Sequence, residues 1–134
     1  MLNFAKLTAV CLMLAACADS GSLKPSVIVR GVDSGSRQVI DHYYTVEPDC
    51  GNAGYPEIHI LRQPDHGVLS VENGETYPAF SKDNVRYECN KKKVASIQLS
   101  YASVAGFHGK DSFTIQVRFA NSNLRLVSYS IDVI

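Results

Sequence analysis

Ser112-Phe113-Thr114-Ile115-Gln116-Val117-Arg118-Phe119 is the stretch that decides the fold. Phe113, Ile115, Val117 and Phe119 alternate with Thr114, Gln116 and Arg118, so a strand here sends its apolar side chains to one face and its polar ones to the other. A face of that kind needs a second layer to cover it. Ala120-Asn121-Ser122-Asn123 follows with turn chemistry, and Leu124 to Val133 then alternates again, with Val127, Tyr129, Ile131 and Val133 between Ser128, Ser130 and Asp132. The pair predicts a hairpin. The apolar parity changes between Leu126 and Val127, which predicts a bulge or a change of facing there.

Working outward, the same period of two recurs in Val27 to Arg30, Val39 to Val46, Glu57 to Arg62, Val68 to Val71, Val85 to Cys89 and Ser96 to Ala102. Gly, Pro, Asn and Asp separate these segments. Seven to eight short antiparallel strands with such punctuation predict an all-β sandwich, and no sustained helical stripe appears beyond the amino-terminal segment. The chain has 134 residues, 46% of them hydrophobic, and its 13 basic side chains balance 13 acidic ones. A single domain is expected, a basic nucleic-acid binder and a disordered acidic tail are disfavoured, and no nucleic-acid partner is implied.

Residues 1–16 read as a targeting segment. Lys6 precedes the apolar run Leu7 to Ala16, which is shorter than the roughly 20 residues a membrane-spanning helix needs. Its ending, Leu14-Ala15-Ala16-Cys17, resembles the bacterial lipobox. That resemblance implies cleavage before Cys17, acylation of Cys17 and attachment to a membrane through the lipid. Ala18 rather than Asp follows the cysteine, which by the same resemblance implies the outer membrane, on its periplasmic side. The alternative is an ordinary signal peptide cleaved after Ala18, with Ala16 and Ala18 as its small pair, leaving a soluble periplasmic protein. The small, polar stretch from residue 17 to Pro25 reads as a tether, so the folded domain is expected over residues 26–134.

On the lipobox resemblance Cys11 would leave with the signal peptide and Cys17 would carry the lipid, so Cys50 and Cys89 remain. In an exported chain, with no Cys-x-x-Cys spacing and no histidine pattern beside them, they read as a disulfide rather than a metal site. Closing a loop of about 40 residues stabilises a domain by roughly 3–4 kcal/mol in the chain-entropy picture.

Three further stretches carry a family resemblance. Gln63-Pro64-Asp65-His66-Gly67-Val68-Leu69, then Ser100-Tyr101, then Gly106-Phe107-His108-Gly109-Lys110-Asp111-Ser112-Phe113-Thr114-Ile115 resemble a pattern of bacterial immunoglobulin-like and cadherin-like repeats and of their small exported relatives. The resemblance implies an immunoglobulin-like sandwich in which His66, Gly67, Tyr101, Gly106, Phe107, Gly109, Asp111 and Phe113 mark the fold. Ser103 stands where the family usually has proline, and no calcium-linker motif is present, so calcium bridging does not carry over. Read from the residues alone, Gly106 and Gly109 permit unusual backbone angles and Phe107 plugs the end of the core. Asp111 is expected to accept backbone amides and lock the turn before its strand.

His42, His59, His66 and His108 lack the spacing of metal ligands, and no nucleophile elbow, phosphate loop or dinucleotide fingerprint occurs, so neither metal, cofactor nor catalytic residue is expected. The run Lys91-Lys92-Lys93, with Lys82 and Arg86 upstream, reads first as a solvated turn face and second as a contact for anionic envelope polymer or headgroups. Tyr43 and Tyr44 are adjacent on a strand and must face opposite ways, which leaves one of them for a partner. Tyr55, Tyr77 and Phe80 fall in Gly- and Pro-rich loops, where binding residues collect, although for each of these five aromatics core packing is the first reading and partner binding the second. The resulting expectation is a non-enzymatic, lipid-anchored module that binds an envelope protein as an accessory subunit. The alternative is a module for carbohydrate or peptidoglycan, the glycan of the cell wall.

Overall fold

The computed structural model describes residues 21–134, so residues 1–16, Cys17 and the first residues of the tether lie outside the described part. Seven strands form: β1 (Ser26–Val32), β2 (Arg37–Tyr43), β3 (Glu57–Arg62), β4 (Gly67–Thr76), β5 (Val94–Ser103), β6 (Gly109–Arg118) and β7 (Leu124–Val133). They make two sheets, ordered β1-β7-β6-β3 and β2-β5-β4, and the whole is an immunoglobulin-like β-sandwich. All pairings are antiparallel except one, because β1 runs parallel to β7. The fully antiparallel expectation is corrected at that point. β1 lies at the sheet edge and joins β7 across almost the whole sequence, so no hairpin forces it to run opposite.

The hairpin built on Phe113 to Phe119 forms as its alternation requires. Phe113, Ile115 and Val117 of β6 and Val127, Tyr129 and Ile131 of β7 are almost entirely excluded from solvent. They meet Leu99, Tyr101, Ile40 and Tyr43 of the facing sheet in one core. Each large side chain buried in this way contributes about 1.5–3 kcal/mol. The turn closes with Phe119 N–H on Asn123 O and Ser122 N–H on Phe119 O, each at 2.9 Å.

Two local expectations are corrected. The register of β6 and β7 runs unbroken past Leu126 and Val127, so no bulge lies there, and the parity change only means that Leu126 faces outward. The register shifts lie instead at Ile40 in β2 and between Ile60 and Arg62 in β3. Val85 to Cys89 is not a strand, since a 3-10 helix occupies Tyr87–Lys91. Val85 is 76% exposed and only Cys89 is buried, so the alternation there had no sheet layer to meet along its length.

Register also sorts the loops onto two ends. The turns after β1, β3 and β5, with the chain end at Ile134, sit at one end, termed the head. The start of β1, the β6–β7 turn and the long loops 44–56 and 77–93 sit at the other, the foot. Cys50 and Cys89 are disulfide-bonded at a Cα–Cα distance of 5.2 Å and tie the two foot loops together. Val46, Cys89 and Val94 form a second small core there, against Tyr44 and Phe80.

Candidate functional site

The residues of the family-like motif converge at the head. Asp111 opens β6 and is 5% exposed. One carboxylate oxygen accepts the N–H groups of Asp65 (3.0 Å) and Ser112 (2.8 Å). The other accepts the N–H of His66 (2.9 Å) and the hydroxyl of Tyr101 (2.8 Å). Asp111 thus locks a turn, but chiefly the turn between β3 and β4 rather than the one before its own strand. Tyr101 belongs to the facing sheet, so this pair also bridges the sandwich. Burial works against ionisation of Asp111, yet the Tyr101 hydroxyl and the three amides outweigh it and hold the carboxyl below its usual range. Burial, and then the bond to Asp111, push the Tyr101 hydroxyl well above its ordinary value.

The rest of the motif serves the same joint. A Cβ at Gly67 would collide with the Tyr101 ring, so glycine is required for the turn to approach the tyrosine. Gly106 and Gly109 have φ of +83° and +134°, in the region that favours glycine. They return the chain so that Phe107 stacks on the His66 ring, with centroids 4.1 Å apart. The imidazole of His66 therefore packs on an aromatic ring. Every acceptor site on Asp111 is filled, which leaves a joint and no exposed chemistry.

A second Tyr–Asp pair crosses between the sheets toward the foot. Tyr129 of β7 donates to an oxygen of Asp41 of β2 (2.7 Å), and Arg30 of β1 reaches the same oxygen at 3.3 Å. Since the Tyr129 proton is committed to Asp41, Tyr43 must be the donor in its 2.5 Å contact with Tyr129. Burial pushes the Tyr43 hydroxyl up to about 12 and raises that of Tyr129 further. Sequence alone left Tyr43 between core packing and a place among the binding candidates. The structure gives the core reading and corrects the binding one, because Tyr43 is 5% exposed and its hydroxyl is spent on this network.

The foot network borders open space. Two adjoining hollows of about 630 and 480 Å³ share Tyr44, Phe80, Phe119 and Arg125 as walls. They form a groove whose first part lies between the edge strands β1 and β2 and whose second part continues between the two foot loops and the β6–β7 turn. Its walls are fixed from several directions: the Asn90 side chain both accepts from Phe80 N–H (2.9 Å) and donates to Phe80 O (2.8 Å), and the Tyr44 hydroxyl accepts Ala79 N–H at 3.1 Å. Arg125 lies 5.1 Å from the Phe119 ring centre, and Arg86 donates to Val46 O at 2.6 Å. Neither arginine forms an ion pair among the described residues. Asp41, the carboxylate lining the groove, is already paired with Arg30. The groove therefore combines aromatic walls with unpaired positive charge.

The other sequence candidates lie apart from it. Tyr55 and Tyr77 are 45% and 57% exposed and line neither hollow, and the Tyr77 ring lies beneath the Lys93 ammonium at 5.9 Å. Lys91 is paired with Glu88, and Lys92 is exposed. Among the tyrosines singled out for binding, Tyr44 lines the groove without being buried. Arg125 and Phe119 were missed as groove residues, and Arg86 was read only as part of the charge run with Lys91, Lys92 and Lys93. Arg125 shares the inward parity of Val127 and Tyr129, which is the one signal that marked it. Among the described residues no three His, Cys, Asp or Glu side chains gather as a metal site.

No protein-family model matches the chain, and no curated protein is similar to it at a significant level. The solution structure of amebosin is similar at 12% identity and a TM-score of 0.39, over 79% of this chain and 88% of that one. A likeness that loose carries no function across.

Proposed function

We propose that the chain is a non-enzymatic, lipid-anchored interaction module of the bacterial envelope, held by Cys17 at the outer membrane and facing the periplasm. In this reading it binds another envelope protein through the foot groove as an accessory subunit of an envelope, secretion or surface assembly. The observation that carries it is the contrast in use: the head motif is consumed in folding, whereas the groove offers aromatic walls and two arginines without acidic partners among the described residues. Such a surface suits a ligand with an apolar body and an acidic group. Ser26 lines the groove, and the tether from Ala18 to Pro25 reaches at most roughly 30 Å, so an acylated Cys17 would keep the foot close to the bilayer.

Photo-crosslinking in living cells at Tyr44 and at Arg125 tests the reading, with labelled palmitate following the anchor in parallel. A discrete protein adduct, with label lost in Cys17→Ser, is the expected result. A second reading, cell-wall glycan, draws on the amides of Asn121 and Asn123 beside the aromatic walls. Retention on purified cell wall without a protein adduct would select it.

A further inference from the structure

The groove has a strand edge beside it. Ile134 N–H bonds Val32 O and Ser34 N–H bonds Ile134 O, so Val32 and Ser34 turn their peptide groups toward β7. In a parallel ladder such groups alternate, which turns those of Val27, Val29 and Gly31 toward the open side. Asp33 confirms the parity, because its N–H takes the side-chain oxygen of Gln38. Val29 O meets Arg30, and the other outward groups of Val27, Val29 and Gly31 have no partner among the described residues.

Free edges are usually blunted by charge, proline or a bulge. β2 carries a register shift at Ile40, whose carbonyl is covered by the Arg30 side chain, and β3 is irregular near Arg62. β4 presents Glu72 and Glu75. β1 keeps its register with β7 from end to end, lacks proline and directs its one charge, Arg30, to Asp41. Val27 and Val29 are 70% and 59% exposed on it.

We propose that β1 accepts an extended, acid-bearing segment of a partner protein as a fifth strand of the four-stranded sheet. This rests on the protein-interaction reading above and specifies its geometry. Alternate side chains of an added strand would point between the sheets, into the groove beside Ile28, Tyr44 and Phe119. The occupant is acidic because Arg125 and Arg86 have no acid among the described residues, while Asp41 is neutralised by Arg30. A partner carrying lysine at the foot would meet like charge.

Val29→Pro in the full exported chain tests the proposal. It removes an N–H that faces the open edge and leaves the β7 ladder intact, the position at which a strand tolerates proline. The probes are two peptides, one alternating valine and threonine and ending in two aspartates, the other identical but ending in two lysines. Binding is read by amide exchange at Val27 and Gly31 and by affinity. The proposal expects protection of both amides by the aspartate peptide and at least tenfold weaker binding of the lysine peptide. It also expects at least tenfold loss in Val29→Pro, with the native melt retained, whereas Val29→Thr binds normally. If Val29→Pro unfolds, Arg125→Glu gives the same reading through reversed peptide preference. Equal binding of the two peptides, or protection that grows with protein concentration and no peptide, overturns the proposal, the latter in favour of a second copy. Cellular adducts at Tyr44 that persist in Val29→Pro overturn strand addition and leave the interaction reading standing. Absence of any protein adduct overturns both.

Discussion

The sandwich is crossed by two tyrosine-to-aspartate hydrogen bonds that run in opposite directions, and their difference separates structure from function. At the head, Tyr101 of the three-stranded sheet donates to Asp111 of the four-stranded one; toward the foot, Tyr129 of the four-stranded sheet donates to Asp41 of the other. Asp111 is sealed and receives three backbone amides as well. Asp41 has one backbone amide, from His42 at 2.9 Å, and a half-exposed arginine, and it borders open space. The same chemical pair thus closes one end and leaves the other accessible. A buried carboxylate with every acceptor site filled is a joint, and one beside an aromatic groove is part of a surface.

The largest way to break the comparison is at the head. Asp111→Ala strands three amides and a buried hydroxyl, so unfolding in urea should show a loss of about 3–5 kcal/mol, and a loss below about 1 would remove the joint from the account. The pH dependence follows from the same bond. The folded carboxyl of Asp111 sits below its unfolded value near 3.9, so its contribution is present above that pH and is lost as pH falls through the folded value. Acid titration of stability should accordingly be flatter below about pH 4 in Asp111→Asn than in the native chain. A parallel profile would contradict the lowered value.

Removing the foot staple comes next. The double substitution Cys50→Ser and Cys89→Ser should cost about 3–4 kcal/mol through the freed unfolded chain, and amide exchange should rise first in loops 44–56 and 77–93. Uniform exchange across both sheets would mean that the disulfide supports the whole domain rather than the foot. The smallest effect belongs to the open pair. Asp41→Asn keeps a hydrogen-bond acceptor and has water nearby, so a loss of about 1–2 kcal/mol is expected, and a cost equal to that of Asp111→Ala would erase the distinction between the ends.

Legibility in the sequence divides along the same line. The head was readable because its partners are announced by local features: glycines at turns, an aspartate before an alternating strand, a tyrosine in another strand. What the sequence did not show is that Asp111 serves the turn at Asp65 and His66, since that contact spans more than forty positions. Strands with a core to face were found, and the disulfide followed from the cysteine inventory. Val85 to Cys89 misled because alternation indicates a strand only where a second layer exists to cover it. The parallel pairing of β1, the burial of Tyr43 and the groove itself depend on which edges end up side by side. Tyr43, Tyr129, Asp41 and Arg30 belong to three strands and share no spacing that single-sequence reading can detect.

The most direct measurement compares Asp111→Asn with Arg125→Glu, scoring the thermal melt of each and the yield of the cellular adduct from a crosslinker at Tyr44. Asp111→Asn should lower the melt and retain the adduct at a temperature where it remains folded, whereas Arg125→Glu should keep the melt and lose the adduct. An unchanged melt with a lost adduct in Asp111→Asn, or an undiminished adduct in Arg125→Glu, would contradict the division between a structural head and a binding foot.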